Sequence, residues 1–299
     1  MPKIRITDMF KKLKINLRLM FGLMGIVSLI SMGVNARGAE QDFVPQRIVS
    51  LGSYLTEGLF LLGVGDDIVG VTTYCNRPEQ AKLKEKAGSI VEVNIEKVLS
   101  LKPDLILTTP LTNAKAKSKL KQMGLNVVDF EQVKDFSQIC EQFIKLGKTV
   151  NKSDKAKQIV EQAQVKVKAL QQSISDKPLQ KVFVQVGTKP LFTMNNEFFV
   201  NDMIKLAGGI NIAENAPTGI YSREKVVELN PDIIIIASMG IAAEDEKQIW
   251  NRYTTITAVK NKRIYCIDPD IICNPIPDNF VSTLKMIIDF LHKENLDVN

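Results

Sequence analysis

A nine-residue pattern occurs twice in this chain, and that repetition restricts what the chain can fold into. Glu96-Lys97-Val98-Leu99-Ser100-Leu101-Lys102-Pro103-Asp104 returns as Glu224-Lys225-Val226-Val227-Glu228-Leu229-Asn230-Pro231-Asp232. Both read E-K-V-x-x-L-x-P-D. Each copy runs into a short apolar stretch, Leu105-Ile106-Leu107 in the first and Ile233-Ile234-Ile235-Ile236 in the second. Proline ends the helix before it. A brief unbroken apolar run after such a stop reads as a strand buried on both faces. A duplicated step from helix to buried strand implies two similar α/β halves.

The flanking sequence carries the same alternation. In the first half, Arg47 to Leu51 reads as a strand, and Tyr54 to Leu62 as a helix closed by Gly63. Ile68 to Val71 is a second strand, Glu96 to Leu101 a helix, Lys115 to Met123 a helix stopped by Gly124, and Leu125 to Val128 a strand. In the second half, Lys181 to Val186 opens as a strand, Phe199 to Leu206 is helical, Arg263 to Ile267 is a strand and Asn279 to His292 a helix. Strands alternating with helices give βαβ units and a mostly parallel sheet. Between the halves, Ala156, Ile159, Val160, Ala163, Val167, Leu170 and Ile174 follow one helix face. Ser153 is placed to cap that helix, and Pro178 follows it. About 22 residues would make it roughly 33 Å long. The expected fold class is α/β: two Rossmann-like lobes, residues 44–150 and 179–293, with mostly parallel sheets, joined by a long connector helix over 151–178.

Net charge is +6, but its distribution argues against nucleic acid. Residues 1–36 hold six Lys/Arg and one acid, which leaves 33 basic and 32 acidic residues beyond them. Lys11, Lys12, Lys14 and Arg18 precede an uncharged run from Leu19 to Ala36, with small residues for processing after Ala36. That layout reads as a cleaved signal peptide, and so as an exported, periplasmic protein. A retained N-terminal anchor is the alternative, because 18 uncharged residues are borderline for a span. No cysteine lies near the processing region, which disfavours a lipid-anchored form. The four cysteines, Cys75, Cys140, Cys266 and Cys273, form no C-x-x-C pair, and a disulfide is allowed with its connectivity open. Cys140 shares a helix face with Phe136, Ile139, Phe143 and Ile144 and reads as core.

His292 is the single histidine. Ser-His-Asp and Cys-His catalysis, and clustered imidazoles for bare zinc or manganese, are thereby disfavoured. No G-x-x-x-x-G-K-[ST] phosphate loop is present.

Arg47 to Gly63 matches R-I-V-S-L-x-x-x-x-T-E-x-L-x-x-L-G, with Thr56-Glu57, Leu59, Leu62 and Gly63 in place. This resembles the opening of the helical-backbone periplasmic binding proteins, which serve ABC importers of cobalamin, iron-siderophores and haem. The resemblance spans about residues 44 to 293. It implies a monomeric binding protein and not an enzyme, with no intrinsic cofactor, a metal chelate as ligand and an importer permease as partner. It also implies one surface glutamate per lobe that pairs with permease arginines. Asn94-Ile95-Glu96 and Ser222-Arg223-Glu224 are the matching segments, so Glu96 and Glu224 are the expected docking residues. A first-turn glutamate favoured by the helix dipole is the plainer reading of each.

Ligands of open α/β sheets sit beyond the carboxyl ends of the strands. The expected contacts are Ser53, Tyr54, Tyr74, Cys75, Thr109, Thr188, Tyr221 and Cys273, and Ser238-Met239 lies on another such loop. Gly70 to Tyr74 looks like the G-V-S-S-Y segment of cobalamin binders, whose tyrosine packs on the ligand. The tryptophans of those clefts, near Ile90, Thr109 and Thr218, are missing, and Trp250 falls elsewhere. Arg77 is the candidate cation for an anionic chelate. Cys75 and Cys273 would contact a metal centre, pair with other cysteines or simply pack. The ligand is expected to be a corrinoid, with a ferric siderophore or haem behind it. The alternatives are an exported chelatase-like enzyme, with Glu57 as base, and a membrane-anchored ligand sensor.

Overall fold

The structure, a computed structural model, describes residues 43–238 and 242–292. The signal-like segment and Met239 lie outside the described residues. Among the described residues no helix is long and apolar enough to cross a membrane.

The first half contains β1 (Ile48–Leu51), α1 (Ser53–Leu62), β2 (Ile68–Val71), α2 (Glu79–Lys82), α3 (Ile95–Ser100), β3 (Leu105–Thr108), α4 (Ala114–Gln122) and β4 (Val127–Asp129). Its sheet has the order β2-β1-β3-β4, and every pair is parallel. Side chains alternate across it, as the pleat requires. Ile48, Leu105 and Leu107 face a cluster with Leu59 and Phe143, while Val49, Leu51 and Ile106 face Val98 and Leu120 on the other side. The sheet is covered on both faces, which is why its strands are continuous apolar runs.

Two helices then cross between the halves, α5 (Phe136–Thr149) and α6 (Ser153–Gln172). The second half contains β5 (Gln180–Thr188), β6 (Leu191–Thr193), α7 (Phe199–Leu206), β7 (Gly209–Asn211), α8 (Arg223–Leu229), β8 (Ile233–Ile236), α9 (Ala242–Trp250), α10 (Thr257–Lys260), β9 (Ile264–Cys266), α11 (Pro269–Ile272) and α12 (Pro277–His292). Its order is β6-β5-β8-β9, with β7 parallel to the opening residues of β5. The path β7-β5-β8-β9 thus repeats the first sheet. The antiparallel β5–β6 hairpin is the addition, and the alternation of apolar runs gives no sign of it.

The repeated motif is a clip that fastens a helix end to a strand start. Asn94 and Ser222 cap α3 and α8, accepting from the amides of Lys97 at 2.9 Å and Lys225 at 3.2 Å. Val98 and Val226 are fully buried beneath them. Lys102 and Asn230 both turn left-handed, at φ 48° and 47°, which ends each helix before its proline. Asp104 then accepts from the amides of Gln46 and Arg47, and Asp232 from that of Lys181. The side chains of Arg47 and Lys181 complete each clip by donating to the last helical carbonyls, those of Leu101 and Leu229.

The connector stripe buries as the spacing predicts, with Ala156, Val160, Ala163 and Val167 inward. Its cap differs: Ser153 is already the first helical residue, and Lys152 precedes it without a side-chain hydrogen bond. Ala156 and Val160 belong to the first half's core, and Val167 to the second's. The halves meet elsewhere as well. Phe136 stacks on Phe280 at 4.6 Å, and its amide donates to Asp202 at 2.9 Å. Ile276 sits in the first half's core. A large hinge rotation would expose this apolar set to water, so the seam resists it.

Candidate functional site

A cavity of about 210 Å³ opens between the halves. Gly52, Ser53 and Tyr54 reach it from the end of β1, Thr109 to Leu111 from the end of β3, and Glu131 to Val133 from the end of β4. Met194, Phe198 and Phe199 wall it from the second half, and Cys273 to Pro275 close its floor. Apolar surface dominates, with a few hydroxyl and amide groups set into it, the composition expected of a ligand cleft. Gly52 is required by a close approach: a Cβ there would stand 2.3 Å from Thr109 Cγ2.

The floor is tied to a buried carboxylate. Ser53 Oγ donates to Asn274 Oδ1 at 2.8 Å. Asn274 Nδ2 and Asn279 Nδ2 donate to Glu57 Oε2 at 3.4 and 3.0 Å. Arg77 Nε meets Glu57 Oε1 at 3.2 Å. Glu57 and Arg77 come from the first half, Asn274 and Asn279 from the second, so one carboxylate stitches the seam beside the cleft. Sequence reasoning set Arg77 against an anionic ligand and Glu57 as an alternative base, whereas here they hold each other. Lys134 and Glu197 form a second bridge across the halves at 2.6 Å.

Ser53, Tyr54, Thr109 and Cys273 of the expected contacts line the cavity. Burial pushes the Tyr54 hydroxyl pKa up, so it stays protonated. Burial, then Asp270 and Asp268, push the Cys273 thiol up to about 12, so it offers no thiolate at neutral pH. The backbone amide of Thr109 donates to Thr112 Oγ1 at 3.0 Å, and their hydroxyls lie 3.2 Å apart.

The other four residues lie elsewhere. Cys75 is a correction: it is fully buried in the first half's core, its thiol 3.2 Å from the hydroxyls of both Thr56 and Thr72. Tyr221 is another. Its ring packs 5.8 Å from Phe183 and its hydroxyl donates to Ile212 O at 3.3 Å, beside a separate outer groove. Thr188 pairs with Leu191 inside the β5–β6 hairpin, which carries the chain end of β5 away from the cleft lining. Tyr74, 51% exposed on the loop after β2, stands outside the lining. All four cysteines are free thiols.

The loop from Asp270 to Asn274 is one that the strand-end rule selects, whereas Glu131, Gln132, Val133, Met194, Phe198 and Phe199 are not singled out from sequence. The strand-end rule could have found residues 131–133, since they follow β4 directly. Phe198 and Phe199 were hidden because the unforeseen hairpin delivers them.

Glu96 and Glu224 are exposed in the first turns of α3 and α8, and neither forms an ion pair among the described residues. Next to Glu224, Arg223 turns inward to Glu246 and lies 4.6 Å over the Trp250 ring. Trp250 Nε1 donates to Gln185 Oε1 at 2.7 Å, and Gln185 Nε2 to Glu246 Oε2 at 2.9 Å.

Two like lobes, each a wholly or mostly parallel sheet between helix layers, with a cleft between them and a helix spanning both, define a bilobal solute-binding architecture. The family model described as "Periplasmic binding protein" matches residues 48–271. The chain belongs to that family. It is 33% identical over 241 residues to the ABC transporter substrate-binding lipoprotein YvrC of Bacillus subtilis, covering 78% of this chain and 76% of the relative. It is 28% identical over 241 residues to the vitamin B12-binding protein of Vibrio cholerae, covering 79% and 86%. The crystal structure of that organism's periplasmic vitamin B12 binding protein BtuF superposes with a TM-score of 0.73 at 25% identity, covering 83% of this chain and 96% of the other.

Proposed function

We propose that this chain is the exported substrate-binding component of an ABC importer for a metal chelate, a corrinoid ahead of a ferric siderophore or haem. The observation that carries the reading is the cleft: apolar and aromatic walls around a hydroxyl-and-amide floor, between lobes of a periplasmic binding protein. A flat or globular chelate buries apolar faces against Phe198, Phe199, Val133 and Met194 and meets Ser53, Thr109, Gln132 and Asn274 with its polar groups. The similarity to vitamin B12-binding relatives supports the corrinoid. Lobes of residues 44–150 and 179–293 act as a monomer outside the inner membrane, delivering ligand to a permease driven by its ATPase. Closure on ligand is small, because the shared apolar seam limits rotation.

Titration of the purified chain with cyanocobalamin, haemin and a ferric trihydroxamate, followed by absorbance and calorimetry, tests the reading. One equivalent of sites for at least one chelate is expected, and no binding to any of them overturns it.

Docking rests on Glu96 and Glu224, two outward carboxylates fixed by matched caps on one frame. Glu96→Lys and Glu224→Lys should weaken ligand-stimulated ATP hydrolysis by the reconstituted importer while ligand affinity is unchanged. Collapse of ligand affinity would assign them to the cleft or to folding instead.

A further inference from the structure

We infer that the cleft discriminates by charge, favouring uncharged or cationic chelates over anionic ones, and that Glu131 is the residue that sets this preference. The inference rests on the chelate-binding reading above and specifies its ligand. Glu131 is the one charged side chain lining the cavity among the described residues, and it is exposed at the mouth with no ion-pair partner among them. Three cations of the first half are held by other groups, and Lys145 is one of them, on the Asp129 carbonyl and over the Phe130 ring. Arg77 is bound to Glu57, and Lys134 to Glu197. Freeing Lys134 would break a bridge between the halves, and freeing Arg77 would strip the cation from the carboxylate that stitches them. The polar groups left for the ligand are the hydroxyls of Ser53 and Thr109 and the amides of Gln132 and Asn274, which match neutral donors and acceptors such as carboxamides. An anionic chelate entering here loses its water shell, gains no cation and meets a carboxylate.

A neutral apolar-flanked chelate meets the opposite situation. Leu111, 68% exposed at the rim, joins the cavity wall and has apolar surface to cover. Binding of such a ligand draws on burial, and so is nearly independent of salt. A carboxylate-bearing or catecholate chelate is repelled across the mouth, and added salt relieves that repulsion. The sign of the salt effect therefore separates this cleft from one built around arginines, where salt weakens anion binding.

The experiment compares wild-type chain, Glu131→Gln and Glu131→Lys against cyanocobalamin, haemin and a trianionic ferric tris-catecholate, at low and high salt. Wild type should bind the neutral corrinoid at least tenfold more tightly than the tris-catecholate, whose affinity should hold or rise with salt. Glu131→Lys reverses one charge in a solvent-screened site. It should improve tris-catecholate affinity relative to corrinoid affinity on the order of tenfold, with Glu131→Gln between. Tris-catecholate binding that equals or exceeds corrinoid binding in wild type, or that does not respond to Glu131→Lys, overturns the charge preference and leaves the chelate reading standing. Binding of no chelate by wild type overturns that reading, and this one with it. Circular dichroism of the variants checks folding, which a surface site without ion pairs should leave intact.

Discussion

Glu57→Ala removes one acceptor from three donors, and the structure says which of them suffers. Arg77 is 39% exposed at its side chain, so its guanidinium returns to water and the ion pair contributes little by itself. Asn274 keeps a second acceptor, the Asp270 carbonyl at 2.9 Å. Asn279 is 5% exposed, and its amide points at Glu57 alone. The loss is thus chiefly one buried amide without a partner, plus the small void left by the carboxylate. That amounts to about 2–3 kcal/mol, or a fall in melting temperature of about 5–10 °C for a chain of this length. Thermal unfolding by circular dichroism measures it, and a double-mutant cycle identifies the cause. Asn279→Ala in the Glu57→Ala background should cost far less than Asn279→Ala alone, because the stranded donor is already the damage. A loss under about 0.5 kcal/mol for Glu57→Ala, or strictly additive substitutions, would refute the view that this carboxylate stitches the seam.

Three more outcomes follow from single contacts. Burial raises the Asp129 carboxyl, but hydrogen bonds from Lys121, Thr108 and Lys117 outweigh it and hold the pKa at about 2 against an ordinary 3.8. The stabilisation is present above the unfolded value and is lost as pH falls toward about 2, so Asp129→Asn should flatten the melting-temperature profile in that window. Trp250→Phe keeps an aromatic ring but removes the indole N–H, leaving Gln185 Oε1 without its donor and a void at a fully buried site, and should cost at least about 1–3 kcal/mol in urea unfolding. Among the free thiols, exposed Cys266 should react with a thiol reagent in the native state, although burial and then Glu244 raise its pKa and slow it. Cys75 and Cys140 should react only on unfolding.

What the sequence made legible is whatever leaves a period. Ile233–Ile236 and Phe199–Leu206 fall where the pattern puts them, the first as an unbroken apolar run and the second by its 3.6-residue repeat. The connector stripe was legible for the same reason. The site was less so, because a cleft is assembled by topology. Thr188 follows an apolar run and so resembled a strand-end loop, but β5 runs on into an antiparallel partner and its tip leaves the cleft. Tyr221 sits beside the repeated motif, and only the contact with Phe183 shows how it packs. Cys75 was placed in the cleft by its loop, yet its thiol turns inward to Thr56 and Thr72. Side-chain direction on irregular backbone has no period, so spacing could not supply it.

The repeat itself supports two conclusions at different depths. Most of E-K-V-x-x-L-x-P-D is explained by the clip: the valine packs, the left-handed residue turns the chain, and the aspartate binds the opening strand. The glutamate does none of this. Neither copy needs it for capping, since Asn94 and Ser222 already serve, and neither copy neutralises it with the adjacent lysine. Lys97 turns to Glu85 at 2.7 Å and Lys225 to Glu228 at 2.9 Å. In the second copy even Arg223 is drawn inward by Glu246 and Trp250. Each cation next to them in sequence is engaged elsewhere, while both carboxylates are exposed in the first turns of their helices. Helix dipoles account for an acid at such a place, but not for the adjacent cations being committed to other partners. An external cationic partner accounts for both, which is why the pair Glu96 and Glu224 favours docking over local helix stability.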